Sequence, residues 1–122
     1  MIVDDEKPCL DELEYLLLKH NDIVITGAFT NPLEALAAAE SSMPDAIFLD
    51  IGMPHVSGIE FAKRVYGYDE TVQLVFVTAY TKLLTEVKKV WPFESILKPV
   101  SGTKLNIIVE RLRRRLNPGL DK

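Results

Sequence analysis

Short apolar runs, each cut off by a polar side chain, punctuate this chain. Met1-Ile2-Val3 leads into Asp4-Asp5, Ala46-Ile47-Phe48-Leu49 into Asp50, Leu74-Val75-Phe76-Val77 into Thr78, and Ile96-Leu97 into Lys98. Runs this short, rich in Val and Ile and separated by helix-like stretches, read as strands of a parallel sheet buried on both faces. In an open parallel sheet the carboxyl ends of all strands lie along one edge, where ligands bind. The pattern therefore predicts three carboxylates, a hydroxyl and an amine converging on that edge.

Between the runs the period changes to that of a helix. Pro8 suits a first helical turn, followed by Leu10, Leu13, Leu17 and His20 at helical spacing, and Asn21-Asp22 breaks the pattern. Ile23-Val24-Ile25 is expected to open a second strand. Asn31 is expected to cap an alanine-rich helix from Pro32 to about Ser41, and Ser57 a helix carrying Ile59, Ala62, Val65 and Tyr66. A further helix is expected from Thr81 to about Trp91, ended by Pro92, although Thr85, Val87 and Val90 are poor helix formers. Ser101 should cap a last helix with a stripe of Leu105, Ile108, Val109, Leu112 and Leu116, stopped at Asn117-Pro118-Gly119. An alternating series of strands and helices with right-handed crossovers gives a doubly wound α/β sheet.

Other classes are disfavoured. A chain of 122 residues, 48% hydrophobic, fits one domain with a real core. Its net charge of -4 gives no reason to expect direct nucleic-acid binding. Residues 101–122 do hold six basic side chains against Glu110 and Asp121, but cations are favoured in the last turn of a helix by its dipole. Cys9, the only cysteine, suits a reducing cytoplasm. No apolar stretch approaches the roughly 20 residues of a membrane span. A soluble cytoplasmic domain with no membrane contact is the expectation.

Each polar strand end has an ordinary explanation alone. Asp4 or Asp5 could cap the first helix, Asp50-Ile51-Gly52-Met53-Pro54 could be a plain turn, and Lys98 a surface amine. Together on one edge they favour a site. Close carboxylates either hold a proton or recruit a cation. Oxygen ligands without an accompanying His or Cys select Mg²⁺, with Mn²⁺ as a substitute. A carboxylate beside such a metal, a hydroxyl and an ammonium suits phosphoryl transfer to Asp.

Val3-Asp4-Asp5-Glu6, Asp50-Ile51-Gly52-Met53-Pro54 with Ser57-Gly58, Phe76-Val77-Thr78-Ala79-Tyr80 and Lys98-Pro99 strongly resemble the bacterial response-regulator receiver domain, in order and over essentially the whole chain. The resemblance implies a flavodoxin-like, five-stranded parallel sheet ordered 2-1-3-4-5 with five helices. It implies that Asp50 accepts phosphoryl from a sensor histidine kinase or phosphotransfer protein. By position, Asp5, Asp50 and the Gly52 carbonyl would bind Mg²⁺, with Asp4 acting mostly through water. Thr78 would be the switch hydroxyl, Ala79 would leave room for the phosphoryl group, Lys98 would contact it, and the Lys98–Pro99 bond would be cis. The product is a signalling state, so the domain is not expected to be a conventional enzyme. A homodimer through the fourth helix, fifth strand and fifth helix is the self-association that the family suggests. Residues 1–117 form the expected receiver, and 118–122 a tail or the start of a linker to an absent output domain, with transcription as the output.

Three departures stand out. Ser95 occupies the position, three before the lysine, where the family usually has Tyr or Phe. Trp91-Pro92-Phe93 replaces a small turn, and only three residues precede Asp4. Ser95 leaves open an alternative, a pseudo-receiver that works as an interaction module without phosphorylation. A Mg²⁺-dependent hydrolase lacks a dedicated further acid or base, and a dinucleotide-binding domain lacks its glycines at Asp4-Asp5-Glu6-Lys7-Pro8.

Overall fold

Each apolar run alternates its side chains between two helical layers. In a computed structural model describing residues 1–79, 84–85 and 94–121, the strands are β1 (Ile2–Val3), β2 (Ala28–Phe29), β3 (Ala46–Leu49), β4 (Gln73–Thr78) and β5 (Glu94–Leu97). They form one parallel sheet in the order β2-β1-β3-β4-β5. The helices among the described residues are α1 (Lys7–Leu17), α2 (Pro32–Ser41), α3 (Gly58–Tyr68) and α4 (Gly102–Leu116), followed by a 3-10 turn at Pro118–Asp121. The helix expected over 81–91 lies outside the described residues except at Leu84 and Thr85, which are helical. Tyr80, Trp91 and Phe93 lie outside them too.

Ile2, Phe48, Val75, Val77 and Ile96 face α1 and α4, meeting Leu10, Leu13, Leu17, Leu105, Ile108, Val109 and Leu112. Val3, Ile47, Leu49, Leu74 and Phe76 face the opposite way, onto Ala35, Leu36, Ala39, Phe61, Ala62 and Val65 of α2 and α3. Burying one such side chain contributes about 1.5–3 kcal/mol, so a run apolar at every position reports a strand covered on both faces. Helix starts follow their caps: Asn31 accepts from the Leu33 N–H (2.9 Å), Ser57 from Glu60 (3.2 Å) and Ser101 from Lys104 (3.2 Å).

The second strand differs from the sequence expectation. It is Ala28–Phe29, not the run beginning at Ile23, and Val24 is 81% exposed. The reason is ladder length. β1 offers Ile2 and Val3, which pair with Ala28 and Phe29, so Ile23-Val24-Ile25 has no strand beside it. Ile23 and Ile25 instead pack their side chains against the α1–α4 layer.

The basic end of α4 is used within the fold. Arg111 and Arg115 reach Glu94 at the start of β5, and Arg114 lies 3.7 Å from Glu110. Arg113 grips Asp22 with two bonds (2.6 and 2.8 Å) and donates to His20 Nδ1. Since arginine only donates, Nε2 is the protonated nitrogen of His20, donating to Asn106 Oδ1 (2.9 Å). The Arg113 guanidinium holds the Asp22 carboxyl down at about 2. A carboxylate depressed by folding stabilises the native state above its unfolded value, near 4, and loses that contribution as pH falls through its folded value. Asp22→Asn should therefore be less stable than wild type in urea unfolding at pH 7. The gap should be modest, because the pair is exposed, and should close between about pH 4 and pH 2.

Candidate functional site

Four strand ends deliver the polar residues. Val3 and Leu49 are register partners in β1 and β3, so Asp4 and Asp50 emerge side by side, and the Asp50 N–H donates to the Val3 carbonyl (3.1 Å). Thr78, fully buried, ends β4 two residues beyond Phe76, the partner of Leu49. Leu97 pairs with Thr78 and hands the chain to Lys98, whose N–H donates to the Thr78 carbonyl (2.9 Å). The Lys98–Pro99 peptide is cis. Ala79, next to Thr78, is exposed. Ser95 is half-buried on β5, opposite Phe76.

Lys98 spans this edge. Its Nζ lies 2.8 Å from Asp4 Oδ2, 3.1 Å from Asp50 Oδ2 and 3.5 Å from Glu6 Oε1. The second oxygen of each buried aspartate takes a backbone N–H: Asp4 Oδ1 from Glu6 (2.9 Å) and Asp50 Oδ1 from Gly52 (3.1 Å). Asp4 and Asp50 are only 3% and 4% exposed, whereas Asp5 and Glu6 are open to solvent. Burial raises the Asp4 carboxyl above its usual range, against the pull of Lys98 and the Glu6 N–H. Burial also pulls the Lys98 ammonium down, but Asp4 and Asp50 outweigh it and hold Lys98 above the usual lysine value. The amine is charged, and it neutralises carboxylates that would otherwise repel each other.

One oxygen from each of Asp4, Asp5, Glu6 and Asp50 lies within 4.8 Å of the others. This all-oxygen donor set around an excess of negative charge fits a hard divalent cation, Mg²⁺ before zinc. Two features were not assigned a role from sequence. Glu6 joins the carboxylates and reaches Lys98. Gly58, at the start of α3, packs directly on the backbone behind the site, where a Cβ would lie 2.6 Å from both the Asp50 carbonyl oxygen and the Ile51 Cα. Any side chain there would push α3 off the loop that carries Asp50. The glycine was visible in the sequence, but the close approach needs two segments in space.

Residues 1–110 match the model of the response regulator receiver domain. The chain belongs to that family. Among its curated relatives, the sensory transduction protein LytT of Oceanobacillus iheyensis is 34% identical over 119 residues, covering 96% of this chain and 48% of that protein. The transcriptional regulatory protein BtsR of Salmonella typhi is 34% identical over 114 residues, covering 93% and 47%. This receiver thus spans about half the length of these relatives. Among solved structures, the response regulatory domain of protein mrkE from Klebsiella pneumoniae superposes with a TM-score of 0.82 at 31% identity, covering 91% of each chain. Receivers are signalling domains of two-component systems and not conventional enzymes, and they work with sensor kinases and phosphotransfer partners. No helix among the described residues is long and apolar enough to cross a membrane.

Removing one partner of a buried ion pair leaves an uncompensated charge and costs about 3–5 kcal/mol. Lys98→Met should fall in that range in urea unfolding at pH 7. Adding Asp4→Asn should restore part of the loss, because it removes one of the two stranded carboxylates. Strict additivity of the two changes would show that Lys98 and Asp4 are not coupled.

Proposed function

We propose that this receiver accepts a phosphoryl group on Asp50 from a sensor histidine kinase or phosphotransfer protein, and that the modified surface regulates an output, transcription. The observation that carries the proposal is the Lys98 ammonium between the buried Asp4 and Asp50 carboxylates. In the transfer, a carboxylate oxygen of Asp50 attacks phosphorus. The bond from phosphorus to the donor nitrogen breaks, and the bonding pair stays with the donor imidazole, which takes up a proton. Lys98 is placed to follow charge from the Asp50 carboxylate to the incoming phosphoryl oxygens. Thr78 is the hydroxyl assigned to bind one of those oxygens, and exposed Ala79 leaves room beside it. Asp5, Asp50 and the Gly52 carbonyl would hold Mg²⁺, with Asp4 acting through water. That ion would neutralise the carboxylates and screen the phosphoryl charge.

Residues 1–117 are assigned to the phosphoacceptor unit and 118–122 to a tail or the start of a linker to an output domain. BtsR, named as a transcriptional regulatory protein, supports transcription as the output. The site itself is assigned no nucleic-acid contact, and the domain a cytoplasmic location. Self-association is assigned to the face of the 81–91 segment, β5 and α4, where Leu97 and Ile107 are exposed. The pseudo-receiver reading draws on Ser95 alone.

Incubation with Mg²⁺ and acetyl phosphate should add one phosphoryl group to wild type and none to Asp50→Asn, read by intact mass. No gain in wild type would favour the pseudo-receiver, and an equal gain in both would move the acceptor elsewhere. Asp5→Asn should bind Mg²⁺ at least tenfold more weakly by calorimetry and lose most phosphorylation while remaining folded. Unchanged Mg²⁺ affinity would remove Asp5 from the ligand set.

A further inference from the structure

Glu6 sits at the N-cap of α1, where a side chain ordinarily bonds a first-turn N–H, yet it makes no such bond. Its backbone is committed on both sides. The N–H donates to Asp4 Oδ1 (2.9 Å) and the carbonyl accepts from Leu10 (3.0 Å). The side chain, 63% exposed, extends over the strand ends to Lys98, 92 residues away in sequence. Lys98 carries three N–H donors and has three carboxylates around it, with the Cys9 thiol also close enough to feel its charge. Lys98 follows the charge of Asp50 onto an arriving phosphoryl group, and any second donor to that group comes from its contact with Asp4 or Glu6. Asp4 and Asp50 are buried and anchored by backbone N–H groups. Glu6 has the longest contact and lies nearest solvent, so it is the partner displaced at least cost.

Resting on the proposed phosphoacceptor role of Asp50, we infer that Glu6 is a charge gate for that site. Its carboxylate occupies Lys98 at rest, repels small anionic phosphodonors, and gives Lys98 up to the phosphoryl group. Glu6 takes no part in the bond changes. With acetyl phosphate, an Asp50 oxygen attacks phosphorus and acetate departs with the electron pair of the broken P–O bond. Glu6 is a specificity-determining residue, acting through Lys98 and through its own charge. The helix-start pattern hid it, because an acidic residue there reads as a favourable partner for the helix dipole.

The test compares wild type, Glu6→Gln and Glu12→Gln, which removes the same charge from an exposed position of the same helix. Phosphorylation rates are measured at saturating Mg²⁺ with acetyl phosphate, a dianion, and with phosphoramidate, whose ammonium-like nitrogen lowers its net charge. Glu6→Gln should accept from acetyl phosphate ~3–10-fold faster at low salt, with a smaller gain from phosphoramidate and a smaller gain from either donor at high salt. The same variant should bind Mg²⁺ a few-fold more weakly by calorimetry and unfold at the wild-type urea midpoint, and Glu12→Gln should match wild type throughout. Wild type that takes up phosphoryl while Glu6→Gln shows no gain overturns the inference and leaves the Asp50 role standing. A gain equal for both donors and indifferent to salt overturns it as well. Wild type that accepts phosphoryl from neither donor overturns the Asp50 role, and the gate with it.

Discussion

The sheet is covered on both faces, and almost everything else follows from that. Side chains within the three inner strands are almost all buried, so the charged groups of the site enter where strands stop. Val3, Leu49 and Leu97 are each followed directly by an ionisable residue, and Thr78 closes the strand between them. In a parallel sheet these stopping points share one edge. Two-sided burial thus sorts the chain into an apolar interior and a charged rim, and the rim is where the site lies.

The rim would not hold without compensation. Asp4 and Asp50 leave adjacent strands with little solvent to separate their charges. The ammonium of Lys98, arriving from the far side of β4, bonds to both, and backbone N–H groups take the remaining oxygens. The same arrangement holds a charge ready for use. The ammonium can be transferred to new anionic oxygens, and the carboxylates it leaves suit a divalent cation. Partial charge compensation and chemical readiness are two aspects of one cluster.

Farther from the rim, charged pairs join elements that the sheet alone would leave loosely connected. Arg113 ties the end of α4 to the turn after α1 through Asp22 and His20, and Glu94 at the start of β5 receives Arg111 and Arg115. These contacts place the cationic stretch of α4 against carboxylates of the same domain. A basic run that composition alone leaves open to several readings is, in the folded chain, a set of internal partners.

By itself, the sequence determined the class of fold, the positions of most strands and three helix caps. These rest on local physics: apolar runs buried on two faces, side-chain caps beside a first turn, and a helical stripe in α4 that nothing interrupts. It also marked the residues that line the rim, since each follows an apolar run. It misplaced β2, because Ile23-Val24-Ile25 has the composition of a strand but no neighbouring strand to pair with. It gave no role to Gly58 or Glu6, because one depends on the backbone of α3 touching that of Asp50 and the other on an amine 92 residues away. Composition and period report what a segment prefers. Only the tertiary structure decided which segments pair, which backbones touch and which charges meet, because those contacts join residues far apart along the chain.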